Sequence, residues 1–168
     1  MLLVVGFVGY FLWSRSASKN NLQTIAPYIS EESTYPLTAR QITIIKQSWQ
    51  AVLPIKSQAA ELFYARLFEL DPTTKALFKG KLDYQGDKLM TTLNVVVNAV
   101  DNVDDIVPML EAMGKRHIIY GVEHRHYETV GVAFLWVLEQ GLGDQFTDEV
   151  KEAWTLVYNL IANYMKEA

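Results

Sequence analysis

The chain has 168 residues, half of them apolar and 12% aromatic, a net charge of −4 at pH 7 and no cysteine. Its length and apolar content suit one domain that buries roughly 70% of its unfolded surface without cross-links. The missing cysteine excludes disulfide frameworks, thiolate metal sites and cysteine nucleophiles; the acidic balance, with no long Lys/Arg run, speaks against nucleic acid as a partner.

Residues 1–13, MLLVVGFVGYFLW, carry no charge and are followed by Arg15 and Lys19 in a polar tract. A spanning helix needs about 20 apolar residues, whereas the core of a secretory signal takes about 7–15. The length suits the second class, but here the basic charge follows the apolar run instead of preceding it. That order keeps the following domain in the cytoplasm. The expectation is a short membrane anchor at the inner face of the plasma membrane, with a cleaved signal as the alternative. Residues 14–36, rich in Ser, Asn and Thr and containing Pro27 and Pro36, read as a flexible linker. The folded domain is expected over residues 37–168.

From Leu37 onward the pattern is helical. Thr38 with Gln41 three residues later forms a capping box. Ile42, Ile45, Trp49, Val52 and Leu53 then make one apolar stripe that stops at Pro54. A second helix is predicted over 55–70, with Ala59, Phe63, Leu67 and Leu70 on its buried stripe and Tyr64 and Phe68 beside it. Asp71-Pro72 opens a short helix ending near Phe78. The next helix is predicted to start at Tyr84 or Gln85 and to reach Val100, with a break at 102–105. Three more follow, over about 106–120, 124–140 and 147–165. Alternating strand patterns and internal repeats are absent, so the class is all-α.

Within the fourth long helix, His117 shares a face with Leu110 and Met113 and points into an apolar layer. A histidine there is either a core imidazole satisfied by a carbonyl, or a neutral imidazole that binds a metal through Nε2 while Nδ1–H donates to the Met113 carbonyl. On the preceding helix, Gln85, Leu89, Thr92 and Val96 share one face, with a polar residue leading it. The break between these helices falls near residue 103, about 27 Å from Gln85 and about 21 Å from His117 at 1.5 Å per residue. An open V would set the two facing across a gap wide enough for a flat ligand; simple packing, with Gln85 at the rim, is the other reading.

The segments LTARQITIIKQSWQAV, LFYARLFELDPTTKALF, MGKRHIIYGVEHRHYETVG and FTDEVKEAWTLVYNLI, in that order, resemble haem-binding globins. They are similar to single-domain bacterial globins, to the globin module of flavohaemoglobins and to neuroglobin. The resemblance implies the globin fold, helices A–H in a three-over-three arrangement around haem b. It makes His117 the proximal iron ligand and Phe78 the aromatic residue stacked on the haem. Tyr64 and Gln85 become the distal polar pair, with Leu89 as their apolar neighbour. Lys88 would reach a haem propionate, and Val122 and Tyr127 would line the proximal side.

The chain also departs from these families. Gln85 stands where neuroglobin-like globins carry a distal histidine, so bis-histidine ligation is not expected. Flavohaemoglobins link their proximal histidine to a tyrosine and a glutamate; Tyr127 matches the tyrosine, and Glu167 is the candidate for the glutamate. The reductase domain of flavohaemoglobins has no counterpart here.

Two donors on the distal side favour a ligand with partial negative charge, as dioxygen acquires on ferrous haem. At about 1.5–3 kcal/mol for a charged acceptor, each bond is worth roughly ten- to a hundredfold in ligand release. The resulting expectation is reversible oxygen binding, with nitric oxide detoxification by a dioxygenase reaction that draws on an external reductase. A membrane-anchored haem-based gas or redox sensor is the alternative.

Overall fold

The computed structural model describes residues 37–168; the expected anchor and linker lie outside the described residues. Six α-helices are present among these residues: α1 (Ala39–Val52), α2 (Lys56–Leu70), α3 (Leu82–Asn98), α4 (Val107–Ile119), α5 (His124–Leu142) and α6 (Asp148–Lys166). Short 3-10 turns at Leu53–Ile55, Pro72–Leu77, Val103–Ile106 and Gly143–Gln145 join or extend them. No strand occurs among the described residues.

Local chemistry sets the ends of these helices. The capping box at the start of α1 is complete: the Gln41 N–H donates to Thr38 Oγ1 at 3.2 Å, and the Thr38 N–H donates to Gln41 Oε1 at 2.9 Å. Pro54 ends α1 in one 3-10 turn and so bends the chain into α2. Asp71 is extended, as a residue before proline must be, and its carboxylate accepts the Thr73 N–H at 3.0 Å to start the next turn. The same carboxylate meets Arg125 Nη1 at 3.3 Å and fastens this turn to the start of α5.

Three boundaries differ from the periodicity-based expectation, one of them the end of α3, at Asn98 instead of Val100. α3 starts at Leu82, earlier than Tyr84. No side-chain cap marks that start, but Asp83 in the first turn complements the helix dipole. α5 runs past Gln140 to Leu142, because Gly141 remains helical and Gly143, at φ +53°, makes the stop.

α5 is buried nearly all round, from His126 through Gly131 to Leu142, and forms the centre of the core. α2 packs on α3 and α5, α4 packs on α6, and α1 packs on both α5 and α6. By contrast, α3 and α4 scarcely touch each other. At each of two crossings a glycine lets the helices close up. A Cβ at Gly86 of α3 would lie 2.9 Å from the Ala60 Cβ of α2. A Cβ at Gly114 of α4 would lie 2.2 Å from the Met165 carbonyl oxygen of α6.

The Gly114 contact is backbone against backbone, so no side chain can move aside to admit a methyl group. Gly114→Ala is expected to lower stability by about 1–3 kcal/mol, the cost of overpacking, despite alanine's better helix propensity. Urea unfolding followed by circular dichroism checks this; an unchanged or higher midpoint would show that α4 and α6 are not in backbone contact.

Candidate functional site

The gap between α3 and α4 has a proximal wall built on α4 and α5. His117 is half-buried near the end of α4, and its Nδ1 lies 2.9 Å from the Met113 carbonyl one turn back. A carbonyl only accepts, so Nδ1 carries the hydrogen and the Nε2 lone pair remains available. Burial holds this imidazole below its ordinary value of 6.5; the bond to Met113 opposes that shift, and the neighbouring Arg116 charge adds to it. The ring is therefore neutral near pH 7, as a metal ligand must be.

Val122 donates its N–H to the His117 carbonyl at 2.9 Å, folding the chain back beneath the ring. Tyr127, 8% exposed, stacks on His117 with centroids 6.4 Å apart and planes 30° apart. Behind Tyr127, the Tyr158 hydroxyl donates to the Tyr127 carbonyl. The Lys166 ammonium lies over the Tyr127 ring at 5.8 Å. Glu167, expected as a partner for this tyrosine, is exposed beyond the end of α6, so the charge next to the ring is a cation. The two other histidines are placed differently. His126 is buried and its Nδ1 accepts the Glu123 N–H at 2.9 Å, a helix cap, whereas His124 is exposed.

The opposite wall is built on α2, α3 and the turn before α3. Tyr64 is 6% exposed, and its ring is held by Phe63, Phe68 and Phe78 at centroid distances of 5.2, 6.0 and 5.1 Å. Its ring is buried, but its hydroxyl oxygen is not among the buried side-chain atoms left without a partner, so the hydroxyl opens onto accessible space. Burial raises its pKa to about 12, so the hydroxyl keeps its proton at neutral pH. Phe78 caps the 3-10 turn and also packs edge-on to Phe68 at 5.6 Å. Gln85 and Leu89 are half-buried on one face of α3. Lys88, one turn from Tyr84, is exposed with its ammonium 4.4 Å over the Tyr84 ring.

The structure thus groups His117 with Val122 and Tyr127, and Tyr64 with Phe78, while Gln85, Leu89 and Lys88 lie along α3. Sequence reasoning passed over Gly114 and Lys166. A glycine three residues before the histidine costs about 1 kcal/mol in a helix interior, which is the signal that could have pointed to it.

What this arrangement can hold follows from its chemistry. Apolar side chains line both walls, and a single neutral imidazole stands among them. Among the described residues no three His, Cys, Asp or Glu cluster to hold a bare ion. A metal bound by His117 must therefore bring its other ligands with it, and a flat macrocycle does so. The half-buried faces of α3 and α4, kept apart by their separate braces, fit such a group.

Comparison with known proteins agrees. The family model described as Globin matches residues 61–165. The flavohemoprotein of Xylella fastidiosa (strain Temecula1) is 32% identical over 129 residues, covering 75% of this chain and 32% of that relative. The chain thus spans about one third of the length of the flavohemoproteins it matches. Neuroglobin of Danio rerio is 25% identical over 144 residues, covering 77% of this chain and 90% of its own. An engineered carbene transferase of Rhodothermus marinus superposes with a TM-score of 0.71 at 23% identity, over 79% of this chain and 92% of that one. At that identity the superposition speaks for the fold alone.

The depressed His117 pKa has a measurable consequence for the haem-free protein. The unfolded chain takes up a proton near 6.5, before the folded one does, so the stability gained by keeping the ring neutral is complete above that value. It is lost as pH falls through the lower folded value. Urea midpoints measured between about pH 7.5 and 5 should fall on acidification, and His117→Ala should flatten that slope. An identical slope in the variant would mean that the ring is not desolvated.

Proposed function

The chain belongs to the globin family, and from that premise we propose that it binds dioxygen on ferrous haem held by His117, with Tyr64 and Gln85 as distal donors, and consumes nitric oxide with electrons from a separate reductase. Haem is the cofactor the family carries. When bound, haem b supplies a ferrous iron that takes a diatomic ligand and exchanges one electron.

The chain's own residues do the rest. His117 offers Nε2 to the iron, and its Nδ1–H bond to Met113 fixes the orientation of the ring. Phe78, Leu89 and Val122 provide the apolar surface that excludes water from the macrocycle, and Tyr127 backs His117. Lys88, exposed on α3, pairs with a propionate at the rim.

The observation that carries the reading is the Tyr64 hydroxyl. Its ring is buried among aromatic side chains, but its oxygen is not among the buried atoms left without a partner, so the hydroxyl reaches accessible space, and it stays protonated to far above neutrality. It is a donor held in reserve for a ligand. The Gln85 amide supplies a second donor from α3. A grip of this kind slows ligand release more than simple delivery requires and suits oxidation of nitric oxide to nitrate by dioxygen. That chemistry consumes one electron per nitric oxide, hence the reductase. Similarity to flavohemoproteins, 32% identical over 129 residues, supports the same direction.

The apolar run 1–13, with Arg15 and Lys19 behind it, supports tethering of the domain to the inner face of the plasma membrane. Apolar side chains contribute about 0.8 kcal/mol per CH₂ buried in lipid. The full chain is expected to sediment with membranes, and a chain begun at Tyr35 to stay soluble with an unchanged absorption spectrum. Intact mass of native protein beginning after Trp13 would refute the tether.

The distal pair is tested by stopped-flow oxygen release. Tyr64→Phe should accelerate release by roughly tenfold or more, at about 1.5–3 kcal/mol for a bond to a charged acceptor. Gln85→Leu should accelerate it less, because the longer side chain is held less rigidly. Native rates in both variants would remove the distal-pair reading. His117→Ala should lose the native ferrous spectrum, and absence of nitric oxide consumption by reduced, oxygenated protein would remove the dioxygenase reading.

A further inference from the structure

Among the described residues, the exposed large apolar side chains gather at one place, the end of α4, where Ile118 is 59%, Ile119 79% and Tyr120 61% exposed in a row. The others, Leu82, Tyr84 and Val95, are strung along α3, and Tyr84 carries the Lys88 ammonium over its ring. The α4 triplet sits on a fixed corner. The Tyr120 N–H donates to the Arg116 and His117 carbonyls, the Gly121 N–H to Ile118 and the Val122 N–H to His117, all between 2.9 and 3.1 Å. Gly121, at φ +86°, turns the chain there. These paired carbonyls lower the cost of taking the corner out of bulk water.

The charge around the corner is positive. Lys115 and Arg116, within one turn of the triplet, are exposed and hold no ion pair among the described residues. Leu77 lies 3.7 Å from the place of a Cβ on Gly121, in a turn that carries exposed Lys75 and Lys79. Glu123, just past the corner, is bonded to Arg125 at 2.8 Å. Exposed isoleucine and tyrosine with free cations beside them are the composition of a face that lies in a lipid headgroup layer.

We propose that the end of α4 docks on an anionic phospholipid bilayer, with Ile118, Ile119 and Tyr120 entering the headgroup layer and Lys115 and Arg116 pairing with lipid phosphates. The proposal rests on the tethering reading given above, which brings the domain to a bilayer. The exit point of the chain supports it. The polar tract 14–36 reaches the domain at the start of α1, where Arg40 bonds Glu149 in the first turn of α6 at 2.7 Å. α4 lies against Met165 at the other end of α6, roughly 24 Å away at 1.5 Å per residue. A flexible tract of that length has a root-mean-square reach of roughly 25 Å, so an anchored chain can lay the α4 corner on the membrane. A second copy fits this face poorly, because a two-fold contact would set Lys115 and Arg116 against themselves.

The chain has no cysteine, so Ile119→Cys gives the full haem-loaded protein a single thiol at an exposed position. Its capture by a bulky, membrane-impermeant maleimide is timed in solution, on phosphatidylcholine vesicles, and on vesicles that also contain phosphatidylglycerol. On the anionic vesicles the rate is expected to fall about tenfold, equivalent to about 1.4 kcal/mol in favour of the docked state. On neutral vesicles it should match the rate in solution. Each cation near an anionic surface is worth about fivefold in binding, equivalent to about 1 kcal/mol. Adding Lys115→Gln and Arg116→Gln should therefore restore the solution rate. Sedimentation of the same samples reads the tether separately.

An unprotected thiol on anionic vesicles that carry the protein overturns the docking face and leaves the tether standing. Sedimentation with the anionic vesicles alone, with the thiol protected, removes the tether and keeps the face. Failure to sediment with either kind of vesicle overturns both. Protection that persists in the charge variant overturns the assignment to an anionic surface, and protection in vesicle-free solution gives the face to a second copy instead.

Discussion

Two helices that line a slot cannot brace each other, because contact between them would close it. α3 and α4 meet this constraint by leaning backward, α3 on α2 and α4 on α6. Both crossings are pulled tight by a glycine at the point of contact, Gly86 against Ala60 and Gly114 against Met165. Each glycine costs about 1 kcal/mol of helix propensity, a cost offset where the closer approach brings the apolar faces of neighbouring turns together. α5, buried on almost every side, is the common support behind both braces.

The brace on α4 also bears on the chemistry of the histidine. Gly114 lies one turn before His117, so the α4–α6 contact fixes the height of the ring above the slot while the Met113 carbonyl fixes its rotation. A backbone carbonyl is a weaker acceptor than a carboxylate, and no carboxylate reaches Nδ1 among the described residues. The Lys166 ammonium lies over the Tyr127 ring, which stacks on the imidazole. His117 is thereby kept a neutral donor, with little tendency to give up its second proton. The reactivity of the site is left to the distal wall, where the Tyr64 hydroxyl opens onto accessible space.

Much of this was legible in the sequence, and the failures have identifiable causes. Helical periodicity marked every long helix, and the i, i−4 geometry around His117 was enough to anticipate its bond to Met113. The end of α5 was misread because Gly141 and Gly143 look alike in sequence, whereas only the second adopts positive φ. The start of α3 carried no capping signal, since Lys81 makes no side-chain cap. The contacts of Gly86 and Gly114 join residues that are far apart along the chain, and no local pattern encodes which backbone a glycine will meet. Lys166 was hidden for the same reason: its place over the Tyr127 ring joins residues far apart along the chain.

The order in which these parts are made has a consequence for how the site is completed in a cell. Synthesis runs from the amino end, and α2, α3 and α4 leave the ribosome before α6. Until residues 148–166 emerge, α4 has no backbone to rest against and α1 lacks one of the two helices it packs on. His117 is then on a helix with nothing behind it, and Tyr127 has neither the Tyr158 hydroxyl nor the Lys166 ammonium. A nascent chain can thus display its distal wall early but cannot present a fixed proximal imidazole until translation of α6 is finished. On the role proposed for His117, the residue that would hold haem is braced only once the last helix has been made.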